Sequence, residues 1–178
     1  MRNRRVWLAA AAAIGAAGLA GCGFALRRPP ELRFRTLALR GFAADSPLAS
    51  ALRMQINASQ TTLVVDAPAQ AQVVLEALSD ARERSVVAST SAGQVRELQL
   101  RARLRFRLLR RDGSELIAST EIVLSRDMSY SESFALAKAQ EEAELVAAMQ
   151  ADIVQQVLRR LAQVNPAGPS TAASAPRP

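Results

Sequence analysis

The stretch LQLRARLRFRLLRR, from Leu98 to Arg111, alternates apolar and polar residues, a period of two that suits a strand with one buried face. Leu104 and Phe106 fall on the apolar face, and Arg101, Arg103, Arg105 and Arg107 fall consecutively on the other. Residues two apart on a strand are separated by about 6.6–6.8 Å, so the four arginines form a ladder roughly 20 Å long. Such a row repels itself unless acidic groups lie alongside. The strand therefore needs a core against one face and a source of negative charge against the other.

The neighbouring sequence supplies a return strand. Asp112-Gly113 marks a turn, and Glu115 to Arg126 runs back. Placing Leu104 beside Ile122 and Phe106 beside Thr120 keeps like with like, which sets Arg105 opposite Glu121 and leaves Asp112, Gly113 and Ser114 as the loop. Upstream, Leu32 to Leu39 reads as a first strand, bounded by Pro29-Pro30 and Gly41. Ser46-Pro47 is a helix start, followed by Leu48, Leu52 and Ile56 on one stripe. Leu63 to Val65 is a short extended segment closed by Asp66-Ala67-Pro68. Gln72 to Asp80 is the second main strand, with Val73, Leu75 and Ala77 on one face; residues 81–93 continue as a projecting hairpin end.

From about Phe134 the period changes. Leu145, Met149, Ile153, Val157 and Leu161 recur every four residues, a long amphipathic helix with Glu141, Glu142 and Glu144 in its N-terminal half and Arg159 and Arg160 at its end. The element order β-α-β-β-β-α gives an α+β two-layer sandwich: a four-stranded, mostly antiparallel sheet with both helices on one face. The other face is left to carry the arginines.

The termini set the compartment. Arg2, Arg4 and Arg5 precede an apolar run of 14 residues from Val6 to Leu19, the pattern of a secretory signal and too short to span a hydrocarbon core of about 30 Å comfortably. Leu19-Ala20-Gly21-Cys22 resembles the bacterial lipobox, whose Cys becomes the acylated first residue, so residues 1–21 are expected to be removed and Cys22 to carry the lipid. Loss of the three signal arginines lowers the net charge from +7 to +4. Gly23 stands where the usual inner-membrane retention signal has Asp, which favours the outer membrane. An exported chain has no cytosolic nucleic acid to meet, so its basic charge does not point to nucleic acid. Residues 22–164 form the expected periplasmic domain, and 165–178, with four Pro and almost no apolar bulk, a disordered tail.

The chemistry available is narrow. With no His and a single Cys, the chain lacks the commonest general base, the Cys-His pair and most zinc designs. It has no Gly-rich phosphate loop and no nucleophile elbow, so neither an enzyme nor a cofactor or metal site is expected. A binding or assembly role follows.

Two further segments carry a family likeness. Leu19-Ala20-Gly21-Cys22-Gly23-Phe24-Ala25-Leu26-Arg27 resembles the anchor region of the lipopolysaccharide-assembly lipoprotein LptE family. Phe134-Ala135-Leu136-Ala137-Lys138, followed by Glu141-Glu142 and later by Leu158-Arg159-Arg160-Leu161, is similar to that family's long helix. The resemblance implies an outer-membrane lipoprotein that plugs the lumen of the LptD β-barrel, supports its folding and helps deliver lipopolysaccharide to the surface. It also implies a basic lipopolysaccharide contact at Lys138, the single Lys of the chain. The family's other basic contact precedes a Gly-Gln pair; here that region reads Ser89 to Gln94 without a cation, and Arg82, Arg84 and Arg96 are the nearby substitutes. On this reading the arginine row faces the polar lumen wall or a lipopolysaccharide head group. On a plainer one it is a solvated face with Glu121, Glu97 and Glu76 as local partners. The same residues fit an alternative, an outer-membrane lipoprotein adaptor of another envelope assembly machine.

Overall fold

A computed structural model describes residues 31–166. The signal segment, Cys22 and residues 167–178 lie outside them. The elements are β1 (Thr36–Arg40), α1 (Pro47–Ala58), β2 (Leu63–Val65), β3 (Val73–Ser89), β4 (Val95–Arg110), β5 (Glu115–Ser129) and α2 (Ala135–Ala162). The sheet is five-stranded, in the order β2-β1-β3-β4-β5. β1 runs parallel to β2 and β3, whereas the long β3-β4 and β4-β5 ladders are antiparallel.

The expected four strands are thus corrected to five. The extra one is the Leu63–Val65 segment, three residues long and too short to show alternation. It becomes a strand because β1 lies beside it: the Leu63 amide donates to the Arg35 carbonyl at 2.9 Å, and the Thr62 hydroxyl to the Phe34 carbonyl at 2.5 Å. The first strand also begins later than expected, at Thr36, although Leu32 and Phe34 are buried in the core.

Both helices cover one face, and the core lies between. α1 contributes Leu48, Leu52 and Ile56, and α2 contributes Met149, Ile153, Val157 and Leu161. They meet Leu75, Leu98, Leu100, Leu104, Phe106 and Leu108 of β3 and β4. Ser46 caps α1, its hydroxyl accepting from the Ala49 amide at 3.2 Å and donating to Asp80 Oδ2 at 2.9 Å.

Asp80 reaches that helix because β3 carries a bulge. Ala77 pairs with Phe106, but Ser79 pairs with Arg105, so Leu78 is an extra residue. Before it, odd-numbered residues face the helices; after it, even-numbered ones do. Asp80, Arg82 and Arg84 consequently share the helix side of β3.

The β4-β5 ladder begins in the expected register, with Leu104 opposite Ile122, Phe106 opposite Thr120 and Arg105 opposite Glu121. It then slips: Leu108 pairs with Ile117 and Leu109 with Glu115. The turn is therefore closed by Arg110 and Ser114, with the Arg110 amide bonded to the Ser114 carbonyl at 2.8 Å, and the loop residues are Arg111, Asp112 and Gly113 in place of 112–114. Gly113 takes φ +87°, the left-handed position that such a three-residue hairpin loop requires.

Candidate functional site: the arginine face of the sheet

Because Leu98 to Leu108 face the helices at even positions, Arg101, Arg103, Arg105 and Arg107 all project from the opposite face of β4. Their surroundings differ along the row. Arg107 is the most engaged: its Nε donates to Glu76 Oε2 at 2.6 Å and its NH1 to Glu115 Oε1 at 3.3 Å. Glu76 also accepts from Arg40, at 3.0 Å from Nε and 2.6 Å from NH2. Four neighbouring strands, β1, β3, β4 and β5, are thereby joined by alternating charges.

The hydrogen bond from Arg107, and after it the one from Arg40, holds the Glu76 carboxyl below its ordinary value of 4.5. The Glu76 bond in turn raises the Arg107 guanidinium.

Farther along, charge is less well matched. Glu121 lies opposite Arg105 in register, yet its carboxylate approaches Arg103, with Oε1 3.7 Å from Nε. That separation is an ion pair without a hydrogen bond, and the Arg103 Nε is buried with no hydrogen-bond partner. Among the described residues Arg101 donates to Gln99 Oε1 alone, at 3.2 Å. Arg105 is exposed and makes no ion pair among the described residues. Of the three expected acidic partners, Glu76 and Glu121 take part, whereas Glu97 pairs with none of the four. Exposed Leu78 and Val123 lie on the sheet near this half of the row, Val123 directly opposite Arg103. The result is a surface of cationic forks set among apolar side chains.

Lys138 stands apart, on the first turn of α2. A cation there meets the unfavourable end of the helix dipole, and its Nζ is compensated by Glu141 Oε2 at 2.7 Å and Ser129 Oγ at 3.0 Å. One residue on, Glu142 Oε2 lies 3.2 Å from Arg84 NH1, and the Arg84 guanidinium sits over the Tyr130 ring at 5.8 Å. The fold thus pairs Arg84 and Lys138 with adjacent carboxylates of α2, Glu142 and Glu141. It does not bring Arg101 to Arg107 together with them, because that row occupies the other side of the sheet.

Sequence reasoning missed Arg40, Glu115 and the Arg84–Glu142 pair. Arg40 joins the site through the parallel β1-β3 pairing, which no local pattern announces. Arg84 joins through the Leu78 bulge. Among the described residues no group of acidic, His or Cys side chains is arranged to hold a metal, and no helix is long and apolar enough to cross a membrane.

Functional groups spread over a sheet face, rather than gathered in a cleft, define a binding or assembly domain. The family model described as LptE, lipopolysaccharide-assembly, matches residues 34–161. A curated LPS-assembly lipoprotein LptE of Pectobacterium atrosepticum is 30% identical over 148 residues, covering 82% of this chain and 79% of that protein. Among solved structures, lipoprotein B of Nitrosomonas europaea is 32% identical with a TM-score of 0.67, covering 79% of this chain and 90% of that one. The rare lipoprotein B of Shewanella oneidensis is 26% identical with a TM-score of 0.60, over 72% of this chain and 94% of that one. The chain belongs to the LptE family. It is an outer-membrane lipoprotein of lipopolysaccharide assembly, an assembly factor and not an enzyme.

Proposed function

We propose that the mature chain, acylated at Cys22, sits with its folded domain in the lumen of an LptD β-barrel, supports the folding of that barrel and assists the passage of lipopolysaccharide to the outer leaflet. The observation that carries this reading is the arginine row. Arg107 is neutralised by Glu76 and Glu115, but Arg101 and Arg105 have no carboxylate within bonding distance among the described residues. A guanidinium in that state is available to a carboxylate on a polar lumen wall or to a phosphate of lipopolysaccharide, both of which it binds as a two-pronged donor. Lys138 and Arg84, paired with adjacent carboxylates of α2, form a second basic contact in this reading. Each is held by a carboxylate that an incoming phosphate has to displace, Glu141 for Lys138 and Glu142 for Arg84.

The test is a detergent pull-down of the lipidated protein from its native outer membrane. Recovery of an LptD-like barrel at one-to-one stoichiometry supports the plug; capture without a large barrel refutes it. The double reversal Arg103→Glu with Arg105→Glu then examines the row. It is expected to reduce recovered barrel or bound lipopolysaccharide several-fold, and unchanged binding of both would remove the row from the mechanism.

A further inference from the structure

The two edges of the sheet are finished differently. At the β2 edge the strand is three residues long, and the Val64 amide is taken by Asn57 Oδ1 at 2.8 Å. That edge is closed to further pairing. At the other edge β5 is 15 residues long and hydrogen-bonded to β4 alone. From Thr120 to Ser129 its ladder with β4 is uninterrupted, ten consecutive pairs from Phe106 to Glu97.

Over that length the strand carries no Pro and no Lys, and its three charged residues are turned back onto the protein, Glu121 to Arg103, Arg126 to Asp152 and Asp127 to Gln99. The side chains that cross to α2, Arg126 to Asp152 and Lys138 to Ser129, tie β5 to the helix layer. Two other bonds, from Arg126 NH1 to the Ser125 carbonyl and from Thr120 Oγ1 to the Ala118 carbonyl, arise within the strand itself.

From these features we propose that the β5 edge is a pairing template: it receives an extended segment of the barrel partner before that barrel closes. The length fits, since a membrane-spanning β-strand has about 9–11 residues. The polarity fits as well. Ile122, Leu124 and Met128 face the helix layer, with Arg126 between them, whereas Glu121, Ser125 and Asp127 face the arginine side, with Val123 between them. A strand added alongside is offered mostly apolar neighbours on one face and mostly polar ones on the other, the sense of the alternation that barrel strands carry. A closed barrel has no free edge to offer, so the pairing belongs to the folding stage. This inference rests on the barrel reading above and adds a mechanism to it, β-strand addition.

The experiment places a photo-crosslinking residue at Val123 of the full lipoprotein and, as a control, at Met54 on α1. Newly synthesised barrel is pulse-labelled, and folded and unfolded forms are separated by their heat-dependent mobility. Capture of unfolded barrel from position 123 and not from 54, declining as folded barrel appears, is the expected result. Two edge-blocking variants, Val123→Pro and Ser125→Lys, should lower folded-barrel yield at least threefold while the soluble domain still melts as a cooperative unit. The lysine variant keeps the test in force if the proline variant does not fold. If the barrel copurifies but position 123 captures only its folded form, or none, the template is refuted and the plug stands. If no barrel is recovered at all, both fall.

Discussion

Glu76 is where single-residue chemistry most affects this fold, because one carboxylate accepts from guanidinium groups on the two strands that flank its own. A carboxyl whose folded value is lowered binds fewer protons when folded than when unfolded. Its contribution to stability is therefore complete above about pH 4.5 and is lost as the pH falls through the folded value. Thermal melts of the soluble domain from pH 7 to pH 3 should show this loss, and Glu76→Gln should flatten that part of the profile while lowering stability at pH 7 by about 1–3 kcal/mol. Gly41 is the second sensitive residue. It has φ +80°, and a Cβ there would strike the Ala77 carbonyl oxygen. Gly41→Ala combines left-handed strain with a backbone clash and should cost at least about 2 kcal/mol in a denaturant titration. In sequence Glu76 reads as one of three local partners for the arginine row, without the second guanidinium of Arg40 that it also holds, and Gly41 reads as an ordinary strand terminator.

Among the elements, those whose periodicity is long were legible, and those defined by a partner were not. The α1 stripe of Leu48, Leu52 and Ile56, the α2 stripe from Leu145 to Leu161, and the β4 alternation all repeat often enough to fix both type and facing. β2 exists only because β1 lies beside it, and the Leu78 bulge shows only in the pairing of β3 with β4. The β4-β5 register was readable where side chains alternate cleanly and failed near the turn, where backbone geometry at Gly113 decides. One element boundary is open to direct test. Ser46→Ala removes the α1 cap and leaves Asp80 without its hydroxyl donor, for an expected loss of about 1 kcal/mol by thermal melting. Ser50→Ala, which removes only a hydroxyl bonded to the Ser46 carbonyl, should cost less in the same assay.

For the molecule as a whole, the division into a helix-covered face and a charged face assigns separate tasks to the two sides of one sheet. Since the exposed end of the row is screened by salt, complex formation that depends on Arg101 and Arg105 should weaken as ionic strength rises from 0.05 to 0.5 M, a range over which the Debye length falls from roughly 14 to 4 Å. The Arg103→Glu, Arg105→Glu protein should lose most of that dependence in the same titration. The arginine row was legible from the first because alternation exposes it, as were Glu76 and Glu121 as partners, but the part of Arg40 was not, since Arg40 and Glu76 come together across a parallel pairing of distant segments.

Leu78 gives the sheet a shift of reading frame. Below it the pleat assigns odd positions of β3 to the interior, and above it even ones, so a single inserted residue decides on which side Arg82 and Arg84 emerge. Deleting Leu78 would remove the bulge and leave one uninterrupted alternation, in which Asp80, Arg82 and Arg84 keep the side of the sheet they have now. The chain would lose one leucine and no charge, and the distribution of charge between the two sides of the sheet would stay as it is. Taking Leu78 into the pleat as an ordinary strand residue is the change that would turn the upper strand over and carry both cations to the arginine face, so the bulge, and not the residue count, divides the charge between the two sides.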